Sequence, residues 1–278
     1  MNNNKIQSPK SKDRKYFAKK SLGQNFLVDQ NYIAKIIASL NMQKGETVVE
    51  IGAGRGALTE ILIESGANVI AIELERNMIS VLRERFDRKS NFKLIESDAL
   101  KINFREFADT EAQKPKIKIV ANLPYNISTA ILQKLIEQRD CLSEMILMFQ
   151  REVVQRITAR VGNSERGFLT VLTEAYLTAE KLFDVPPNAF FPAPKVWSSV
   201  VRLKPKIDIE IENEKLFRQI VSAGFRQKRK TIMNNLKSEF SDIGKILETC
   251  GIDAPRRAET LTFEEWQCLA KQKAGGDF

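Results

Sequence analysis

The sequence predicts an α/β protein: a doubly wound, mostly parallel sheet followed by a small all-helical C-terminal domain. Three observations predict it. A β-branched run, Thr47 to Ile51, leads into the glycine turn Gly52-Ala53-Gly54-Arg55-Gly56 and then into helical spacing from Ala57 to Glu64. Strand-like and helix-like stretches then alternate through NVIAIELE, RNMISVLRERF, NFKLIESDAL, KIKIVANLPY, TAILQKLIEQR and EMILMFQRE. Such alternation packs as a parallel sheet with helices on its faces. From Asn213 onwards the spacing is helical alone, with breaks near Gly251 and Pro255.

Taken in order, residues 1–18 are polar and basic, the composition of a disordered arm. Gly23 to Leu27 reads as a loop. Asp29 then caps a helix whose Ile33, Ile36, Ile37 and Leu40 share one face. After the alternating units, RGFLTVLTEAYLTAEKLFDVPPNAFFPAPKVWSSVVRLK gives a helix, a strand (AEKLFDV), a Pro-rich connection and a strand (VWSSVVRLK). These last two strands are expected to pair antiparallel at one side of the sheet. The chain thus divides into an arm (1–18), a sheet domain (19–205) and a helical domain (206–278).

Composition narrows the chemistry. With 43% hydrophobic and 28% charged residues the chain has the make-up of a soluble globular protein. No apolar run approaches the ~20 residues of a membrane span, and the N-terminus lacks the apolar core of a secretory signal. Cys141, Cys250 and Cys268 stand apart, without paired or metal-ligand spacing, so a reducing cytoplasm and no structural metal are expected. Histidine is absent, which removes the usual general base, Ser-His and Cys-His nucleophiles and histidine-metal sites. The net charge of +9 falls as +6 on residues 1–20, +2 on 21–205 and +1 on 206–278. A basic arm ahead of a nearly neutral body points to a polyanionic partner.

Glycines between a strand and a helix let the backbone turn tightly and let a ligand approach it closely. Glu73 ends the second strand, 21 residues after Gly52, where an acid holds ribose hydroxyls. Asp98 ends the third strand in ESDAL, where a carboxylate can accept from an adenine amine. Alone, these features suit NAD and S-adenosyl-L-methionine equally. The spacing is G-x-G-x-G rather than G-x-G-x-x-G, and no lysine of the P-loop type follows. In IVANLPYNISTAIL a strand ends at Asn122-Leu123-Pro124-Tyr125, and Ser128 or Thr129 opens a helix. The X-Pro unit keeps Leu123 out of helical geometry. An amide, a backbone carbonyl and an aromatic ring therefore meet at a strand's carboxyl end, where open α/β sheets bind ligands. Arg226, Lys228, Arg229 and Lys230 are expected on a helix (FRQKRKTIMNNL) whose Phe225, Ile232, Met233 and Leu236 turn inward. The cations then form a phosphate-binding patch.

KSLGQNFLVD, EIGAGRGALTE, Glu73, ESDAL, NLPYNIST, VPPNAFFPAPKVWSSVVRL and FRQKRKTIMNNL, in that order, resemble the ribosomal RNA adenine dimethyltransferases. Within them the chain looks most like the small-subunit group, the KsgA family. The resemblance runs from about Lys19 to the C-terminal helices, and NLPYNIST is its most specific motif. Ala53 departs from the proline that members often carry there. The resemblance implies the Rossmann-like fold of S-adenosylmethionine-dependent methyltransferases. It implies that Asn25 and Leu27 fold over the methionine end of the cofactor, with Gly52 against it. Glu73 would then hold the ribose, Asp98 the adenine amine, and Asn122 would link cofactor to substrate. Catalysis would rest on Asn122, a carbonyl of Leu123 or Pro124, and Tyr125 stacking on the extruded adenine. Phe190 would cover the other face and Phe191 would pack.

The implied reaction is dimethylation of the 6-amino groups of two adjacent adenosines in the 3′-terminal hairpin loop of 16S rRNA. The partner would be that RNA in the assembling 30S subunit, met in the cytoplasm by a monomer using no metal and no membrane. A large-subunit (23S) adenine methyltransferase of the macrolide-resistance type shares NxPYxIST, but VPPNAFFPAPKVWSSVVRL and GIDAPRRAETL favour the small-subunit type. A non-catalytic assembly factor is countered by the intact Asn122-Pro124-Tyr125 set. An NAD-dependent oxidoreductase is countered by the lack of a substrate motif.

Overall fold

A computed structural model describes residues 25–108, 117–208 and 211–275. The basic arm expected over 1–18 lies outside the described residues. The first element among the described residues is a short strand, β1 (Phe26–Leu27), where the sequence suggests a loop. It has no local signal because its partner lies far along the chain. α1 (Gln30–Ser39) follows, and Asp29 caps it by accepting the Asn31 N–H at 2.9 Å.

The alternating region folds as expected. β2 (Thr47–Ile51), α2 (Ala57–Glu64), β3 (Asn68–Glu73), α3 (Arg76–Phe86), β4 (Phe92–Glu96), β5 (Ile117–Asn122), α4 (Ser128–Glu137) and β6 (Leu142–Gln150) run in sequence. The arginine and glutamate after Gln150, read with the strand, instead open a helix, α5 (Arg151–Ile157). Then come α6 (Phe168–Tyr176), β7 (Leu177–Val185), β8 (Phe190–Phe191) and β9 (Ser198–Pro205).

Seven strands form one sheet in the order β4-β3-β2-β5-β6-β9-β7. Strands β2 to β6 pair parallel, and β9 pairs antiparallel with both β6 and β7. The order reverses between β2 and β5. Their carboxyl ends therefore open into the crevice where such sheets hold ligands. A separate two-stranded pair joins β1 to β8, with Phe26 opposite Phe191 and Leu27 opposite Phe190.

Side chains alternate across the sheet and feed two apolar layers. Val48, Val120, Ile146, Met148 and Val200 pack with α1 and α2 on one face. Val49, Ile119, Met145, Leu147 and Val201 face the other. That second layer continues without a break into the C-terminal helices α7 (Glu214–Gly224), α8 (Ile232–Leu236), α9 (Ile243–Thr249) and α10 (Phe263–Gly275), through Phe217, Ile220, Leu236 and Trp266. The change to all-helical structure near residue 206 is thus a change of architecture with no gap in packing.

Two expectations are corrected here. The basic run 226–230 is not helical; it forms the turn between α7 and α8. The buried Asn235 amide donates to the carbonyls of Gly224 (2.7 Å) and Gln227 (3.1 Å), taking up backbone groups a continuous helix would satisfy itself. Cys250 and Cys268, expected to stand apart, are joined as a disulfide. Packing of α9 on α10 brings their Cα atoms to 5.7 Å across a separation of 18 residues. The spacing alone cannot signal a contact made by two helices. Cys141 is buried, and its thiol donates to the Gln138 carbonyl at 3.1 Å. Among the described residues no helix is long and apolar enough to cross a membrane, and no cluster of acidic, cysteine or histidine side chains could hold a metal.

Candidate active site

A cavity of about 310 Å³ lies at the crevice, walled by the glycine turn, the ends of β3 and β5, and the segment around β1. Asn25, Leu27, Gly52, Glu73, Asn122, Pro124 and Tyr125, singled out from the sequence, all line it. Gly52 has φ +70°, and a Cβ there would meet nothing within 4 Å. Its open face is therefore free for a ligand to approach the backbone. At Gly54 a Cβ would lie 3.2 Å from the Phe26 ring, so that glycine lets β1 close over the turn.

Glu73, only 7% exposed, ties this wall together. One carboxylate oxygen accepts the Gly54 N–H at 2.8 Å; the other accepts those of Leu74 (2.8 Å) and Glu75 (2.9 Å). Glu50, overlooked in the sequence, also lines the cavity at 2% exposure. Burial pushes its carboxyl up to about 8, the Thr59 hydroxyl donating at 2.5 Å opposes this, and the Glu73 charge adds to it. A charged residue inside the apolar run TVVEI was the signal that could have found it.

Asn122 is oriented by its own hydrogen bond. Its Nδ2 donates to the Asn25 carbonyl at 3.1 Å, which assigns Oδ1 as the acceptor left for a ligand. Beyond it the chain turns: the Ile127 N–H donates to the Pro124 carbonyl at 3.2 Å, and the Ser128 hydroxyl donates to the Tyr125 carbonyl at 3.0 Å. The Tyr125 hydroxyl lies 2.9 Å from the Ser198 hydroxyl. Burial raises the phenol pKa, with the Ser198 hydrogen bond opposing, so the ring stays neutral. Ser198 had no local signal, being 73 residues away in sequence.

Other candidates lie outside the cavity. Asp98 caps the 3₁₀ turn Ala99–Lys101 by accepting the Leu100 N–H at 2.9 Å and is not among the lining residues. The FF pair is reversed from expectation: Phe190 is 4% exposed and packs in the apolar layer with Leu27, whereas Phe191 is 50% exposed. The β1–β8 register causes this, pairing Phe190 with the buried Leu27. Lys228, Arg229 and Lys230 are exposed on the α7–α8 turn, and Arg226 pairs with Glu239 at 3.2 Å.

Known proteins match over nearly this whole architecture. A family model described as ribosomal RNA adenine dimethylase matches residues 16–274. The ribosomal RNA small subunit methyltransferase A of Clostridium botulinum (strain Okra / Type B1) is 40% identical over 258 residues, covering 90% of this chain and 92% of that protein. The protein of that name from Alkaliphilus metalliredigens is 36% identical over 267 residues, covering 94% and 93%. Among solved structures, a dimethyladenosine transferase from Plasmodium falciparum superposes with a TM-score of 0.74 at 27% identity, covering 90% of this chain and 98% of that one. The 23S rRNA methyltransferase ErmE shares the fold, with a TM-score of 0.68 at 23% identity over 90% of this chain and all of its own. Identity this high across the sheet, the cavity and the C-terminal helices makes the chain a member of the ribosomal RNA adenine dimethylase family, in its small-subunit KsgA branch.

Proposed function

We propose that the protein is an S-adenosylmethionine-dependent methyltransferase that dimethylates the 6-amino groups of two adjacent adenosines in the 3′-terminal hairpin loop of 16S rRNA. Its natural substrate is that RNA within the assembling 30S subunit. The observation that carries this reading is Asn122: its amide is held at the crevice by Asn25, with its oxygen left as an acceptor beside Tyr125.

The residues present fit the cofactor. Gly52 offers open space at its Cα, and Glu73 places a buried carboxylate in the adjoining wall, which suits ribose hydroxyls. Asn25, Leu27, Gly52 and Glu73 would hold the cofactor, and Asp98, which caps the turn after β4, would join them only by turning inward. Bound there, S-adenosylmethionine supplies an electrophilic methyl group.

The rest of the chemistry belongs to the chain. The adenine 6-amino lone pair is delocalised into the ring and is a weak nucleophile. Asn122 Oδ1 and a backbone carbonyl accepting its two N–H groups draw the nitrogen towards tetrahedral geometry. The Pro124 carbonyl already accepts from Ile127, which favours the Leu123 carbonyl as second acceptor. These fixed dipoles stabilise the positive charge that develops on nitrogen, and near-attack positioning contributes much of the acceleration. The proton then leaves an acidified ammonium without a strong base, consistent with a chain that has no histidine. Tyr125, its hydroxyl tethered to Ser198, presents a neutral ring for stacking on an extruded base. Phe190 can serve the opposite face only if the β1–β8 segment yields, because its ring is buried.

Primer extension across the 3′ end of small-subunit rRNA, after incubation with protein and S-adenosylmethionine, tests the reading. A new stop at two adjacent adenosines is the expected result, since dimethyladenine blocks reverse transcription. Stops only in large-subunit rRNA, or none, would sink it.

A further inference from the structure

Exposed apolar side chains gather on segments that adjoin the cavity wall, next to Phe26 and Tyr125. Of seven large hydrophobic residues exposed among the described residues, Phe191 ends β8, and Val196 and Trp197 lie in its connection to β9. A fourth, Val28, is tied to these segments by its N–H, which donates to the Ala189 carbonyl at 2.9 Å. Trp197 is 44% exposed, whereas the other tryptophan, Trp266, is fully buried. A half-exposed indole beside a binding cavity calls for a partner.

The indole is held in place by its backbone. The Arg151 N–H donates to the Trp197 carbonyl at 2.9 Å, so the start of α5 and the approach to β9 are clamped together at the carboxyl end of β6. The next residue, Ser198, holds the Tyr125 hydroxyl. The indole is therefore one residue along the chain from the tether of the tyrosine that lines the cavity. The Arg151 guanidinium lies 5.8 Å from the centre of the indole ring and makes no ion pair among the described residues. Asp184, whose pKa is influenced by Arg151, is instead bonded to Lys181 and Ser199. Lys195, two residues before Trp197, is exposed.

We propose that Trp197 and Arg151 form a stacking platform for an unpaired nucleotide next to the target adenosine. This rests on the RNA-methyltransferase reading and extends it to substrate positioning. An aromatic face beside a cation matches a nucleotide in both parts: the base stacks on the indole and the phosphate meets the guanidinium. A paired base has no free face to offer, so the platform selects loop over stem. A protein partner would use the apolar rim without needing a cation beside the indole.

Tryptophan fluorescence of the full-length protein provides the test. A hairpin RNA with an unpaired loop should quench the emission, and a blunt duplex of the same stem should not. In Trp197→Phe, where buried Trp266 alone emits, the quench should vanish. In methyl transfer, Trp197→Ala should raise KM for the hairpin by about 5- to 150-fold, the range expected for losing one base stack, with kcat nearly unchanged. Trp197→Phe, which keeps an aromatic face, should recover most of that loss. A quench that persists in Trp197→Phe, equal quenching by duplex, or a wild-type KM in Trp197→Ala overturns the platform. Loop-specific quenching by a wild-type protein that never methylates the hairpin keeps the platform and removes the proposed function. Methylation with no effect of Trp197→Ala does the reverse.

Discussion

Asn122 shows how a single side chain can be committed before any ligand arrives. The Asn25 carbonyl takes its Nδ2, so rotating the amide to present a donor to the substrate would cost that hydrogen bond. In the proposed mechanism, Asn122→Ala removes an acceptor that would matter most as the adenine nitrogen becomes tetrahedral and positive. Single-turnover kinetics should show methyl transfer slowed by about 10²–10³-fold, the usual cost of losing one preorganised transition-state partner, with RNA affinity nearly unchanged. A folded variant that transfers at the wild-type rate would remove Asn122 from the mechanism. Glu50 is a residue of the opposite kind, held where its charge is disfavoured. Its pKa is about 8 in the folded protein against an ordinary 4.5, mainly through burial. Between those values the folded chain keeps a proton that the unfolded chain has lost. The stability this group contributes is therefore fully present below the unfolded value and is lost as pH rises through the folded one. Glu50→Gln removes the dependence. The Tm of the variant, relative to wild type, should be higher at about pH 9 than at about pH 6. Equal offsets at both pH values would mean the carboxyl titrates normally.

Among the elements, α7 meets α10 at a glycine. A Cβ on Gly224 would come within 2.4 Å of the Trp266 ring, which is fully buried and stacks on Phe225 with ring centroids 5.5 Å apart. Alanine in a helix is favoured over glycine by roughly 0.5–1 kcal/mol, but overpacking a rigid core costs typically about 1–3 kcal/mol. Gly224→Ala should therefore lose stability by about 1–2 kcal/mol in urea unfolding, and a stabilised variant would show that the helices slide apart freely. This junction also marks the limit of what the sequence revealed. The inward positions of FRQKRKTIMNNL were legible, since Ile232 and Leu236 are buried and Phe225 and Met233 partly so. The turn between them was not, because it depends on Asn235 bonding backward and Thr231 accepting the Asn234 N–H, polar contacts that leave the apolar spacing intact. The site follows the same rule. Gly52, Glu73 and Asn122 were legible because strand ends carry a local pattern, and the sheet order brings those ends together. The β1–β8 pair was not, and with it went the correct burial of Phe190 and Phe191. Pairing across more than 160 residues leaves no trace in either short segment.

Across the whole molecule, the exposed basic run 226–230 stands apart from the cavity. The cavity wall carries Glu73 with Arg55 and Arg85, while Lys228, Arg229 and Lys230 stand on the α7–α8 turn and none of them lines the cavity. Such an arrangement lets phosphate contacts position an RNA while the cavity selects the base. The four cations of the run should not contribute equally. Arg226 already has Glu239 at 3.2 Å, and leaving that partner offsets part of any gain from a phosphate. Replacing Lys228, Arg229 and Lys230 together with alanine should weaken RNA binding and flatten its salt dependence by up to about 0.7–0.9 log-log units per lost contact. Adding Arg226→Ala should change the slope little further. The rate of methyl transfer at saturating RNA should stay near wild type, because the cavity is untouched. Binding titrations across a range of salt concentrations, paired with single-turnover rates on the same proteins, read both quantities. An unchanged slope in the triple variant would place these cations on a merely solvated turn, and a slope that falls only when Arg226 is also replaced would assign the phosphate contact to the one residue whose charge is already paired.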